Sequence, residues 1–144
     1  RGVRGIRLKD GQNVIALIPI SGEGTLVIAT ANGYGKRTLY SEFPVKGRGG
    51  QGVIAIQAND RNGDVIGAGL ANVGEDIMLI TGKGILVRTP AAEISVIGRN
   101  TQGLRLIALK AGEQLIGLET IPEIIDIEEN PTLISSPESD EIVN

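Results

Sequence analysis

Apolar residues along this chain occur in short runs separated by glycine-containing turns. Eight runs have the composition of β-strands: residues 13–20, 25–30, 52–57, 64–70, 76–81, 85–89, 103–108 and 114–119. Turns such as Asp10-Gly11, Asn32-Gly33 and Asn62-Gly63 bound them, and both residues of these dipeptides tolerate positive φ. No segment of helical length carries an apolar stripe with a 3.6-residue period and capping residues. The pattern predicts an all-β fold of many short strands.

The chain repeats itself with a spacing of about 50 residues. An arginine, three further residues, a glycine and a strand-like run recur at residues 1–8, 48–55 and 99–106. A shorter motif follows each copy, as Val14-Ile15-Ala16, Val65-Ile66-Gly67 and Leu115-Ile116-Gly117. A repeated four-stranded unit of this length is typical of propeller-like arrays, whose blades bury their faces against one another. We therefore expect residues 1–122 to form a partial propeller of about three four-stranded blades.

The composition excludes most kinds of catalytic chemistry. The chain has no cysteine and no histidine, which removes thiol nucleophiles, disulfides, histidine acid–base catalysis and nearly every zinc site. Residues 33–38 resemble a phosphate-binding loop, but Lys36 is not followed by Ser or Thr and no helix is predicted there. Residues 60–64 begin like a calcium loop but lack its later ligands, so they are interpreted as a hairpin turn. We expect no catalytic residue, no metal site and no cofactor in this chain.

Two further features restrict the cellular setting and the partner. Neither a signal peptide nor an apolar run near the roughly 20 residues of a membrane span is visible, which predicts a soluble, cytoplasmic protein without a membrane partner. The aromatic residues are only Tyr34, Tyr40 and Phe43. Single-strand binding stacks bases on aromatic side chains, so this scarcity disfavours a single-stranded nucleic-acid partner.

Charge is distributed unevenly along the chain. Residues 1–122 hold all 14 basic side chains and 10 of the 17 acidic ones, a net charge of +4. Residues 123–144 hold the other seven acidic residues and no basic one. Because its charges repel and its apolar content is sparse, this acidic tail is predicted to be disordered. The tail either occupies the basic surface and competes with DNA, so that deleting it raises DNA affinity, or serves only solubility.

Basic residues recur at one position of the repeat. Arg1, Arg48 and Arg99 each precede a turn that ends in glycine, and repeats related by rotation would place these turns along one rim as a curved basic stripe. Such a stripe suits duplex DNA, because cations bind its closely spaced phosphates and glycines let the backbone approach. The alternative is that surface arginines only keep the domain soluble. The candidate DNA-binding residues are Arg1, Arg4, Arg7, Lys36, Lys46, Arg48, Arg99 and Arg105.

Two further arginines have two interpretations. Arg37 and Arg88 occupy equivalent positions in strand-like segments, and Glu42 and Glu93 follow them by five residues. Each arginine either forms a structural ion pair with its glutamate, repeated because the blade is repeated, or contacts phosphate. Lys36 has no charged counterpart in the next repeat, which makes it the better candidate for contact with DNA.

Four segments of the chain carry motifs of a known family. They are Gly33-Tyr-Gly-Lys-Arg-Thr38, Arg48-Gly-Gly-Gln-Gly-Val-Ile54, Leu86-Val-Arg-Thr89 and the run from Glu93 to Gly103. Together they closely resemble the C-terminal domain of bacterial DNA gyrase A. The resemblance runs over residues 2–119, and residues 98–103 are its most specific part. It implies a six-bladed β-pinwheel, of which this chain would be the last three or so blades and the tail.

The resemblance implies a function as well as a fold. The family's domain wraps duplex DNA, without sequence preference, on its basic perimeter. ATP-driven strand passage by the whole enzyme, an isomerase that also contains gyrase B, then introduces negative supercoils. The resemblance implies a bacterial, nucleoid-associated protein, and it places the cleavage tyrosine and the ATPase in other regions, so Tyr34 and Tyr40 have no cleavage role. Residues 46–52 look like a degenerate copy of the family's wrapping signature, so this chain should bind DNA more weakly than the whole domain.

Other functions remain open from the sequence. A partial array exposes blade faces, so the chain could be a protein-interaction scaffold that contacts other blades or a further protein chain, in topoisomerase IV or another propeller protein. Stable association with such a partner without retention of DNA would favour the scaffold. A carbohydrate-binding or hydrolytic propeller would need aromatic platforms and paired acids, which are missing.

Overall fold

The computed structural model describes residues 1–122, which form seven β-strands and two short 3₁₀ helices. The predicted disorder of residues 123–144, and their competition with DNA, lie outside the described residues. The strands are β1 (Thr25–Thr30), β2 (Tyr34–Leu39), β3 (Val65–Ala71), β4 (Asp76–Thr81), β5 (Leu86–Pro90), β6 (Leu104–Arg105) and β7 (Leu115–Ile121). The helices cover Tyr40–Glu42 and Ala91–Glu93. Residues 1–122 contain no α-helix, and none of their segments is a helix able to span a membrane.

The strands form two antiparallel sheets with the same internal register. The first has the order β3-β1-β2-β6 and the second the order β5-β4-β7. Thr25 of β1 pairs with Leu39 and Ala71, and Asp76 of β4, the equivalent residue, pairs with Pro90 and Ile121. In both sheets the ladder to β3 or β7 shifts register next to the last residue of the central strand. The sequence repeat is therefore a structural repeat, and the predicted all-β, propeller-like fold is confirmed.

The central strand of the first sheet is buried on both faces. Val27 and Ala29 pack against buried residues of β4 and β7 in the second sheet. Leu26 and Ile28 alternate with them and pack on the opposite face, against Tyr40 and its neighbours. Side chains alternate between the two faces of a strand, so a strand covered on both sides has an almost continuous apolar sequence. The two sheets thus pack as neighbouring blades.

Three of the eight predicted strands differ in the structure. Residues 13–20 and 52–57 form no strand, and the strand predicted over 103–108 is only the two-residue β6. The sequence distance between paired strands explains why residues 13–20 form no strand. β3 and β7 each pair with a strand that begins about 40 residues earlier. Residues 13–20 have no such partner among the described residues, and Leu17 is 92% exposed.

The number of complete blades is lower than predicted, again because partner strands are missing from the described residues. β6 pairs with β2, whose residues lie about 70 positions earlier, and residues 52–57 have no equivalent partner strand among the described residues. The described residues contain one four-stranded and one three-stranded sheet instead of about three four-stranded blades.

β6 completes the first sheet although it belongs to the following repeat. Tyr34 pairs with Arg105, and Gly35 pairs with Leu104. The turn before β6 ends at Gly103, whose φ of +79° lies in the left-handed region. A Cβ atom at Gly103 would lie 2.8 Å from the carbonyl oxygen of Gly35, so only glycine allows this close backbone approach.

Substituting Gly103 by alanine should therefore weaken the fold beyond the cost of its φ angle. Gly112→Ala is the matched control, since Gly112 has a φ of +77° and open space around it. We expect Gly112→Ala to lower the free energy of unfolding by about 1 kcal/mol and Gly103→Ala to lower it by about 1–3 kcal/mol more. Urea unfolding followed by circular dichroism measures both. An equal loss in the two variants would show that the close approach carries no cost.

Candidate nucleic-acid interface

The first two glycine-rich turns lie side by side. The N–H of Arg7 donates to the carbonyl of Gly50 at 2.7 Å, and the N–H of Gly49 donates to the carbonyl of Gly5 at 2.9 Å. Ile6 and Gly50 form an isolated parallel bridge between the same segments. Residues 1–7 and 46–52 are thus joined into one surface, which we call the paired turns.

Five basic residues of the paired turns are exposed: Arg1, Arg4, Arg7, Lys46 and Arg48. Among residues 1–122 the structure contains a single ion pair, between Arg88 and Asp76, so none of these five has a carboxylate partner there. Glycine is frequent between them and adds no side-chain bulk. Uncompensated cations on a glycine-rich backbone form a surface that phosphate can approach closely.

The third turn is joined to the segment that follows the paired turns. The Nη1 group of Arg99 donates to the carbonyl of Ile54 at 2.7 Å, and the N–H of Gln57 donates to the carbonyl of Thr101 at 2.8 Å. The buried amide of Asn62 bridges both segments, because its Nδ2 group donates to the carbonyls of Gln57 and Gln102. The segment that follows the paired turns is therefore held directly against the turn at residues 98–103.

Lys36 is not available for contact with DNA, which corrects its place among the candidates. Its side chain is fully buried, and Nζ donates to the carbonyls of Gly98 at 2.7 Å and Arg99 at 2.6 Å and to the hydroxyl of Thr101 at 3.1 Å. Burial lowers the pKa of Lys36 to about 8, against an opposing effect of nearby Glu42. Lys36 is an internal donor that closes the third turn.

The ion pair expected between Arg37 and Glu42 does not form. Arg37 is buried, its Nε group donates to the carbonyl of Ile94 at 2.9 Å, and burial lowers the pKa of its guanidinium. Glu42 instead accepts a hydrogen bond from the N–H of Arg99 at 3.3 Å. Both groups bind the following repeat instead of each other, and Arg37 is not available for contact with phosphate.

Arg88 also differs from its prediction, because its ion-pair partner is Asp76 and not Glu93. The ladder places Met78 opposite Arg88, so Asp76 is two residues away along the adjacent strand. Residues at this diagonal point to the same face of the sheet, within reach of a long side chain. Glu93 lies beyond the end of β5, in the 3₁₀ helix. A structural ion pair is present, but the strand register selects its partner.

Arg105 meets an arginine that sequence reasoning missed. Arg61 Nε and Arg105 Nη2 both donate to the hydroxyl oxygen of Tyr34, at 3.2 Å and 3.3 Å. Their guanidinium carbons lie 5.5 Å and 5.7 Å from the centre of the Tyr34 ring. The hydrogen bonds from Arg105 and then Arg61 lower the pKa of Tyr34. The only local signal for Arg61 is a charge within a hairpin turn, so its meeting with Tyr34 could not be predicted from its neighbours.

The chain is similar to known proteins over most of its described length. A family model described as "DNA gyrase C-terminal domain, beta-propeller" matches residues 1–21, 24–72 and 75–122. The DNA gyrase A protein of Escherichia coli strain K12 is 50% identical over 114 residues, which are 79% of this chain and 13% of that protein. The same protein of Pseudomonas aeruginosa is 54% identical over 116 residues, 80% of this chain and 12% of the relative. The chain thus spans about an eighth of the length of these relatives.

Solved structures share the fold. A DNA gyrase A C-terminal domain matches 84% of this chain and 41% of its own, with a TM-score of 0.77 and 25% sequence identity. The C-terminal domain of a DNA topoisomerase IV matches 93% of this chain and 42% of its own, with a TM-score of 0.79 and 20% identity. The second similarity concerns the fold alone.

Replacing Lys36 by methionine should weaken the fold by opening the third turn. Met keeps the apolar stem but removes the Nζ donor from the carbonyls of Gly98 and Arg99, and the Gly98 carbonyl then keeps only the hydroxyl of Thr101 as a donor. We expect the free energy of unfolding to fall by about 2–4 kcal/mol. The control Lys83→Met, at an exposed turn position, should change it by less than about 0.5 kcal/mol. Thermal and urea unfolding measure both, and equal stabilities would contradict the role assigned to Lys36.

The pH dependence of the free energy of unfolding tests the lowered pKa of the buried Lys36 amine. The pKa of Lys36 is about 8 in the folded chain, against the ordinary value of 10.5, so between these values the unfolded chain binds more protons. The free energy of unfolding of the parent chain, relative to Lys36→Met, should therefore rise from pH 8 to pH 10.5 and stay level below pH 8. Parallel pH profiles of the two proteins would exclude the lowered pKa.

Proposed function

The chain belongs to the DNA gyrase C-terminal domain family, and we propose that it binds duplex DNA, without sequence preference, along its basic turns. The observation that carries the proposal is the set of exposed basic side chains on the paired turns that have no carboxylate partner within residues 1–122. DNA phosphates bind such cations and release their own counterions, which makes the attraction strong at low salt.

The chemistry of these turns favours backbone contact over base recognition. Arginine, lysine and backbone N–H groups that bind phosphate fix the position of the duplex but carry no information about its sequence. Tyr34 and Tyr40 are buried, and the described part of the chain offers no exposed aromatic platform on which unpaired bases could stack. A duplex is therefore the better substrate than a single strand.

Within a whole enzyme, this chain would act as part of the DNA-holding domain of gyrase A. DNA curved over the domain would be presented to strand passage elsewhere in the protein, where ATP hydrolysis by gyrase B drives the introduction of negative supercoils. The proposed partners are duplex DNA, the remaining blades and other regions of gyrase A, and gyrase B, in the bacterial cytoplasm and nucleoid. The chain itself would contribute no catalytic residue and no cofactor.

A specific observation also supports contact with another protein segment. Ile15, Ile18 and Ile20 line an open apolar cleft on the face of the first sheet that the second sheet does not cover. Apolar surface of this kind suits a further blade, so a scaffold role is compatible with DNA binding. Topoisomerase IV shares the fold, and the alternative scaffold function would apply to such a protein as well.

Removing charge from the paired turns should weaken DNA binding equally for unrelated duplexes. We expect Arg4→Gln/Arg48→Gln to lower affinity about tenfold or more at 100 mM salt and to reduce the salt slope by about 2. Fluorescence anisotropy with two duplexes of different sequence, between 50 and 200 mM salt, measures both quantities.

The control Lys83→Gln/Lys110→Gln removes the same charge from exposed positions outside these turns, and we expect a smaller effect. Circular dichroism verifies that every variant is folded. Salt-independent binding, an equal loss in the control, or a loss confined to one duplex would refute the proposal. Stable capture of other gyrase A segments by a chain that retains no DNA would favour the scaffold instead.

A further inference from the structure

Two arginines from different parts of the chain converge on one tyrosine. Tyr34 is the first residue of β2, Arg61 lies in the turn before β3, and Arg105 is the second residue of β6. Both guanidinium groups bind the Tyr34 hydroxyl and lie within 6 Å of the ring centre. This distance is the range of a cation–π interaction. The tyrosine ring is buried while both arginines are exposed, so the ring supports two cations that face solvent.

Neither arginine is neutralised by a neighbour within the described residues. Asp60 and Asp64 lie close to Arg61 in the sequence, yet neither forms an ion pair with it in residues 1–122. Two guanidinium groups held a short distance apart without an anion repel each other. An anion bound between them would relieve the repulsion and gain both attractions.

The hydrogen-bonding groups of the three side chains are complementary to a phosphate group. Each guanidinium carries five N–H donors and uses one of them on Tyr34, which leaves four per arginine. The hydroxyl oxygen accepts from both arginines with its two lone pairs, so its own O–H remains available as a donor. The lowered pKa of Tyr34 makes that O–H a stronger donor. Three donor groups therefore converge, and a phosphate oxygen accepts from all of them.

The surroundings provide both space and continuity with the basic turns. Gln102, Gly103 and Leu104 line a cleft of about 480 Å³ with the three side chains. Gln102 belongs to the third turn, and its carbonyl accepts a hydrogen bond from Asn62, the residue after Arg61. The cluster thus extends the surface formed by the paired turns and the third turn. Because the ring and hydroxyl already hold the two guanidinium groups, less side-chain entropy is lost when a ligand binds.

We propose that Arg61, Arg105 and Tyr34 form a clamp for one backbone phosphate of bound duplex DNA. The clamp rests on the proposed function and adds to it a single site where the duplex is fixed by directional hydrogen bonds. Phosphate is the shared chemistry of a DNA diester and of free inorganic phosphate. The proposed function favours the diester, because a duplex already held by the paired turns would present its phosphates at high local concentration.

Four variants of the 144-residue chain test the clamp. Arg61→Gln/Arg105→Gln removes both charges and should lower duplex affinity about tenfold or more. Arg61→Lys/Arg105→Lys keeps the charge but loses the planar fork, and should still lower affinity about threefold or more. Tyr34→Phe removes only the hydroxyl and should lower affinity by about threefold. Lys83→Gln/Lys110→Gln, with the same charge loss elsewhere, should have less effect than Arg61→Gln/Arg105→Gln.

A spectroscopic readout in the parent chain adds a test that does not depend on whether a variant folds. In the parent chain, the Nε–H resonance of Arg61 should shift when a duplex is added, and the shift should be reduced in Tyr34→Phe. The same phosphate concentration added as inorganic phosphate should give a much smaller shift. An Arg61 resonance that is unmoved by the duplex, or that responds equally to inorganic phosphate, would overturn the clamp.

The outcome separates this proposal from the proposed function. If the parent chain fails to bind duplex DNA at 50 mM salt, both are wrong. A second outcome is that the parent chain binds the duplex, with Arg4→Gln/Arg48→Gln weakened and Arg61→Gln/Arg105→Gln binding as well as the control Lys83→Gln/Lys110→Gln. In that case DNA binding stands and the clamp is wrong.

Discussion

Backbone hydrogen bonds along the outer edge of β2 hold the structure together across the repeat boundary. Arg37 donates its N–H to the carbonyl of Ser95 and accepts from the N–H of Ile97, both at 2.9 Å, and Leu106 donates to the carbonyl of Gly33 at 2.7 Å. An edge strand without such partners exposes unpaired donors and acceptors. Because the covering segment belongs to the next repeat, the first sheet is complete only when that repeat is present. Stability in such an array includes interface contributions as well as those of single repeats.

The same edge also determines what the side chains of β2 do. The segment that runs beside β2 brings the carbonyls of the third turn over Lys36 and places Arg105 beside Tyr34. Lys36 thereby serves as a hydrogen-bond donor inside the protein, while Arg105 is held at the surface. In the second sheet Val87 takes the position of Lys36, and within residues 1–122 no segment covers β5 in this way. A lysine therefore occurs at this position where a turn covers the strand and its carbonyls need a buried donor, and a valine occurs where no such turn is present in residues 1–122.

Local sequence predicted β1, β3, β4, β5 and β7, whose partners lie within the described residues, but the eight predicted runs did not include β2, which pairs with β1 and β6. The bounds of β1 and β4 matched because each is a central strand with both neighbours present, and the repeat predicted their equivalence. Residues 13–20 have the same composition but no partner strand within residues 1–122, and composition alone does not show whether a partner is present. Lys36 was predicted to contact DNA because it has no charged counterpart in the next repeat, whereas its burial depends on a loop about 60 residues later. The partner of Arg88 and the role of Arg61 likewise depend on strand register.

The position of a basic residue in the repeat predicts where it lies, but the groups around it decide how it can bind a phosphate. Arg99 shares the phase of Arg48, yet its guanidinium donates to a carbonyl, so it keeps its charge and loses a donor. Arg48 is exposed and offers long-range attraction that salt screens. The pair on Tyr34 is different again, because its donors are oriented before any ligand arrives. A surface of this composition would attract a polyanion broadly through the paired turns and fix its position at the few groups whose geometry is already set. The unequal use of equivalent residues is therefore compatible with one continuous binding surface.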